Sequence, residues 1–456
     1  MSKDHETVRQ KKYMEIIEKE NTVFEAAGNK VGNQLEKTVK NVLGPAINSF
    51  IIWVLQESRK NGVQRLYFLA RDGYLMYQCA RIYCEKQKLP IECRYLSCSR
   101  YSVRIPLFHM DMEEALEYVC RGGIDVTLDK ILERAGLTCQ EKEHTLALLS
   151  GSEKRRQVLP YAELPKIKES LRNCRYFMDC MYQHSTETYP VFKEYLKQEG
   201  LLKGKRSALV DSGWVGSMQK TLNAILERLG KKEKLTGYYW GLYELPRGVK
   251  REDYFCYYFS PEKGLKEKVY FSNCLFETIF SAPHGMTVGY EKSGGQIFPR
   301  YGEIDEQRQG FMIRLSGYIR EYTEKVAQSV TDLYQIDAVR YRKMVKELLR
   351  LFMGYPTASE AELFGSLEFS DDVLDNSRQQ VAVKMTEREI RGNHVWNKAL
   401  TMLGIRKGYI KESAWLEGTI ARLGKRENYH WFMYRMYKYL LYMRKKYNYL
   451  KMREKE

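Results

Sequence analysis

Two short turns carry residue types that could bind and transfer an anionic group. The first is Arg71-Asp72-Gly73, directly after the apolar run RLYFLA at residues 65–70. A glycine there lets the backbone approach a ligand closely, and the amides beyond it open a helix N-terminus. The Arg71 guanidinium adds a planar fork suited to phosphate. The same residues also fit a plainer role, a helix-capping aspartate beside a surface arginine. The second turn is Asp211, Ser212, Gly213, Trp214, Val215, Gly216 and Ser217, with Gln219 just inside the helix that follows. Two glycines three residues apart let backbone amides fold round a phosphate as a nest, and Ser217 can add a hydroxyl. Asp211 can hold ribose hydroxyls or a water of Mg²⁺. The lysine of a Walker A loop is absent. Read plainly, this is a turn whose glycines serve geometry and whose end starts a helix.

Four further residues could act with these turns. Ser99 and Arg100 end a second strand-like run and would join the same rim, or cap the next helix and face solvent. Glu277 and His284 lie in FETIFSAPHG, a helix running into a rigid Pro-His-Gly turn. Either could serve as a general base. Their plainer readings are a solvated or salt-bridged glutamate and a turn histidine bonded to backbone.

The elements that must position these residues read as an α/β fold. RLYFLA, the helical YLMYQCARIYCEKQK and IECRYLSCS make a strand, helix and strand, which implies a parallel sheet. SALVD at 207–211, LTGYYWGLY at 235–243 and DYFCYYFS at 253–260 read as further strands, and TVGYEKSGGQIFP as a hairpin. Residues 1–61 form an N-terminal helical segment, broken at Gly44 and Pro45. Residues 62–100 and 206–300 form the α/β core, 101–205 a helical insertion or cap, and 301–456 a helical C-terminal region. In an open parallel sheet ligands bind at the carboxyl ends of the strands, where both turns fall.

Composition bounds the function. The chain has 456 residues, 44% of them hydrophobic, and a net charge of +17. The longest apolar run, near residues 50–55, is far short of the ~20 residues of a spanning helix, and the polar start carries no secretory pattern. A cytoplasmic protein is expected. Its ten cysteines show no zinc or C-x-x-C spacing. The positive charge favours an anionic partner. Residues 429–456, from Tyr429 to the end, hold eight basic and two acidic residues among helically spaced aromatic and aliphatic ones. That tail either packs its apolar stripe on the body or lies on an anionic membrane leaflet.

RLYFLARDGYLM, YLSCSR, ALVDSGWVGSMQ and FETIFSAPHGMTVGY together resemble the phosphoribosyltransferase-like domain of bacterial polysaccharide-biosynthesis proteins. The resemblance covers roughly residues 25–300. It implies a parallel-sheet, Rossmann-like core and a glycosyltransferase activity. 5-Phosphoribofuranose would pass from phosphoribosyl pyrophosphate, with Mg²⁺, to a lipid-linked glycan acceptor at the inner face of the cell membrane. In many relatives a haloacid-dehalogenase-type phosphatase domain precedes this one. No D-x-D strand end precedes residue 65 here, so the resemblance implies a separate phosphatase. It maps Gly213, Trp214, Val215, Gly216 and Ser217 onto the 5-phosphate loop, and Arg71, Asp72 and Gly73, assisted by Arg100, onto the pyrophosphate loop. Phosphoribosyltransferases generally carry two adjacent acidic residues before the phosphate loop; here Asp211 is followed by Ser212.

Other readings compete. A catalytically silent sugar-phosphate-binding scaffold of a glycan-assembly complex would explain the missing acidic residue. A nucleic-acid-binding protein would explain the charge and the 35 tyrosines, but no nucleic-acid module is recognisable. FLARDG superficially resembles a phosphatase's aspartate strand end, yet Tyr74 stands where its second aspartate belongs.

Overall fold

The chain runs α1 (Lys3–Lys19), α2 (Gly44–Lys60), β1 (Arg65–Leu69), α3 (Gly73–Lys86), β2 (Glu92–Leu96), α4 (Arg175–Gln198), β3 (Ser207–Trp214), α5 (Ser217–Arg228), β4 (Thr236–Leu242), β5 (Tyr254–Phe259), α6 (Asn273–Ile279), β6 (Thr287–Ser293), β7 (Gln296–Tyr301), α7 (Glu306–Ser329), α8 (Val395–Met402) and α9 (Glu427–Arg453), with shorter helices between. This computed structural model describes residues 3–20, 22–24, 32–122, 126–149, 155–369, 379–402 and 410–454.

β1 to β5 form one parallel sheet in the order β2-β1-β3-β4-β5. Both faces are covered, which is why β1 is buried along its whole length and reads as a continuous apolar run. Leu66, Phe68, Ala208 and Val210 face a core shared with α2, α3 and α7. Tyr67, Leu69 and Leu209 alternate onto the other face, against Phe192 and Leu196 of α4 and Leu222 and Leu226 of α5. β6 and β7 pair as an antiparallel hairpin.

The described residues between 105 and 181 build a smaller helical core of their own around Leu116, Ile131, Leu132 and Phe177. α4 joins that core to the sheet, contributing Phe177 to one and Phe192 to the other.

Three sequence expectations change. Gly44 and Pro45 do not break the N-terminal helix. A wider π-helical turn at Val39–Leu43 precedes them, and α2 continues through Pro45 in its first turn, where the missing N–H is harmless. The resulting stretch Gln34–Lys60 is apolar and long enough to cross a membrane by composition, but 94% of its most apolar part is buried inside the protein. The C-terminal region also holds a short strand pair, Glu368–Phe369 with Gln379–Gln380, where only helix is expected.

Candidate functional site

β1 leads through α3 to β2 on one side, and β3 leads through α5 to β4 on the other. The strand order therefore reverses between β1 and β3, and a crevice opens outside their carboxyl ends. Both turns meet there, on a cavity of about 330 Å³. Arg71, Asp72, Ser99, Arg100, Asp211, Ser212, Gly213, Trp214 and Glu277 line it. Gly73, Val215, Gly216, Ser217, Gln219 and His284 do not.

Asp72 is the N-cap residue of α3, yet its side chain makes no capping hydrogen bond. It accepts instead from the Ser212 hydroxyl, across the β1–β3 boundary. The backbone N–H groups of Ser212 and Gly213 lie close enough to the Asp211 carboxylate to favour its charged form. Glu277, on α6, accepts from the Trp214 indole N–H. Trp214 is itself fixed among Phe271, Phe276 and Phe259.

Three carboxylates thus share one poorly solvated space. Burial, then repulsion from Asp72, pushes Asp211 up to about 7, against the nearby Ser212 and Gly213 amides and the Arg100 charge. Burial and Asp72 likewise push Glu277 up to about 8, opposed by the Trp214 N–H and Arg100. Burial raises Asp72 as well, while its Ser212 hydrogen bond and the charges of Arg71, Arg100 and Arg308 oppose the rise. At neutral pH the cluster therefore holds protons, whereas the guanidiniums stay charged. The cavity is more positive than a count of its side chains suggests.

The phosphate cradle expected at residues 213–217 takes another form. Gly213, Trp214 and Gly216 all have positive φ, at +108°, +64° and +69°. This winds the turn tightly, and the amides of Val215 and Gly216 both point back to the Gly213 carbonyl, at 2.9 and 3.5 Å. Gln219 is fully buried and ties α5 to the strands: its amide donates to the Leu235 and Asp253 carbonyls, and its oxygen accepts from Tyr239. Ser217 begins α5. Gly73 serves packing, since a Cβ there would lie 2.9 Å from the Phe68 carbonyl carbon.

Ser99 reaches the cavity wall, but its hydroxyl accepts from the Ser102 amide and donates to the Thr287 carbonyl. Arg100, the next residue, is exposed at the cavity mouth. His284 is a structural residue. Its Nδ1–H donates to the Gly285 carbonyl at 2.8 Å, so Nε2 is the acceptor for the Tyr95 hydroxyl at 2.9 Å. The ring stacks on Tyr301, and burial lowers its pKa. With both nitrogens engaged, it holds no lone pair for a substrate proton.

Other contributors were not foreseen. Arg308 of α7 adds a charge felt by Asp72. Asn273 and Phe369 line the walls. Thr287 lines the cavity and is 1% exposed, and its buried Oγ1 has no hydrogen-bond partner among the described residues. Asn273 and Thr287 flank the FETIFSAPHG segment, a weak signal; nothing local marks Arg308 or Phe369.

Among the described residues, no three His, Cys, Asp or Glu side chains converge so as to hold a metal ion. No protein-family model matches the chain, and no curated protein matches it.

Proposed function

We propose that the cavity binds a phosphorylated sugar donor and transfers its glycosyl group to a hydroxyl acceptor. The donor proposed is phosphoribosyl pyrophosphate, and the acceptor a lipid-linked glycan at the inner face of the cell membrane. A separate phosphatase would remove the 5-phosphate afterwards. The observation that supports this reading is the cavity's charge: Arg71, Arg100 and the nearby Arg308 surround carboxyl groups held partly neutral by burial. Such a site favours an anion.

Arg71 and Arg100 would neutralise pyrophosphate as its bond to the anomeric carbon breaks. Asp211 would hydrogen-bond ribose hydroxyls. Glu277 would accept the proton of the acceptor hydroxyl as the new glycosidic bond forms, a role left to it by the engagement of His284. Mg²⁺ would come bound to the donor's own oxygens, with Asp211 reaching it through water.

Incubation with phosphoribosyl pyrophosphate, Mg²⁺ and a glycan acceptor should release pyrophosphate. Glu277→Gln should slow release by about 10² or more. Absence of both release and donor binding would overturn the proposal. The inward-turned amides of Val215 and Gly216 favour a second reading, a scaffold that binds sugar phosphate without turnover. Donor binding without release would select it.

A further inference from the structure

The C-terminal helix α9 is held firmly on one side and bare on the other. Its inner face carries Trp431, Arg435, Lys438 and Tyr449, all buried. Lys438 donates to the Phe271 carbonyl at 3.0 Å and to Glu417 at 3.1 Å. Tyr442 stacks on Tyr243 at 5.3 Å, and near the end Tyr449 reaches Glu262 at 3.2 Å. The helix is thus docked from its first turns to its last.

The outer face carries Phe432, Met436, Leu440, Met443, Tyr447 and Leu450, all exposed. Phe432 is 60%, Leu440 56%, Met443 55% and Tyr447 64% exposed. At about 100° per residue these six positions fall within an arc of about 80°, along about 27 Å of helix. A stripe of this size on a firmly docked helix implies an occupant. On α8, which α9 contacts, Trp396 and Leu400 are exposed as well.

Charge identifies the occupant. Arg444, Lys446 and Lys451 are exposed along the stripe's edges, and Lys425 and Arg426 are exposed at its start. Glu454 is the one exposed acidic residue at its far end among the described residues. A second copy of this chain would meet the stripe with the same basic edges, whether the helices ran parallel or antiparallel. An anionic lipid surface matches both the apolar stripe and its cationic flanks.

We infer that the outer face of α9 is a docking surface for anionic phospholipid bilayers, lying in the interface plane with its apolar stripe among the acyl chains. The inference stands on the helix surface alone, independently of the chemistry at the sheet edge.

Co-sedimentation of the full chain with vesicles tests it. Vesicles of roughly one-third phosphatidylglycerol in phosphatidylcholine should capture the protein, and pure phosphatidylcholine should not. Raising salt from about 0.1 to 0.5 M should weaken capture at least about tenfold. The variant Phe432→Ser/Leu440→Ser/Met443→Ser changes only exposed positions and should lose capture. Arg444→Glu/Lys446→Glu/Lys451→Glu should lose about fivefold per cation or more, with its circular dichroism unchanged. Absence of capture by the folded chain would overturn the inference. So would capture insensitive to both variants, or a dimer in light scattering that the serine variant dissociates, which would assign the stripe to a second copy.

Discussion

Glu277 and Asp211 are the residues on which pH acts. A carboxyl group whose folded-state pKa lies above its unfolded value favours the folded state in its protonated form. Stability from these groups is therefore greatest at acidic pH and is lost as pH rises from the usual carboxylate range through about 7 to 8. Glu277→Gln keeps an oxygen for the Trp214 indole and removes the titration. Its melting temperature should exceed that of the wild type at pH 8.5, and the gap should close by pH 5, as followed by calorimetry across pH. Function should show the same groups with opposite signs in two constants. In the proposed transfer, ionisation of Glu277 would supply a base, so kcat should rise through about pH 8; it would also make the cavity less cationic, so KM for the donor should rise. A Glu277→Gln profile that keeps the wild-type limb would remove Glu277 from the base role.

At the scale of elements, the β3–α5 turn decides what the cavity offers. A Cβ on Gly213 would meet the Gly241 carbonyl oxygen at 2.6 Å, at a φ of +108° that side chains rarely adopt. Gly213→Ala should therefore destabilise the protein by about 2–3 kcal/mol in denaturant unfolding and displace Ser212 and Asp211 with it. This turn also marks the boundary of what the amino-acid sequence discloses. The five strands were legible because a parallel sheet covered on both faces needs unbroken apolar runs, and RLYFLA and SALVD are such runs. The convergence of Arg71, Asp72 and Asp211 was legible too, because carboxyl strand ends share one rim; Glu277 arrives there from a helix, which that rule does not cover. The direction of the Val215 and Gly216 amides was not. It depends on positive φ at Trp214 as well as at the two glycines, and a tryptophan gives no hint of that. Thr287 and Phe369 reach the cavity, and the Arg308 charge acts on Asp72, through packing of separate elements, which local spacing does not encode.

Across the whole molecule, distant segments are tied by buried polar contacts. Arg9 and Tyr13 of α1 both bond Glu360, at 3.1 and 2.6 Å, and Glu360 is fully buried. Glu360→Ala would leave a guanidinium buried without its counter-charge and should cost about 3–5 kcal/mol of stability. Tyr13→Phe keeps the ion pair and should cost about 1–2 kcal/mol. Equal losses in the two variants, measured by denaturant unfolding, would mean that the ion pair itself contributes little. The same architecture brings Phe369 of the C-terminal strand pair onto the wall of a cavity built at the β1–β3 boundary, so its lining runs from Leu69 to Phe369. Titration calorimetry of phosphoribosyl pyrophosphate into the wild type and Arg71→Ala tests that cavity most directly. Saturable binding by the wild type, weakened about 10- to 100-fold by the substitution, is the expected result. No binding by the folded wild type, or equal binding by the two proteins, would contradict it.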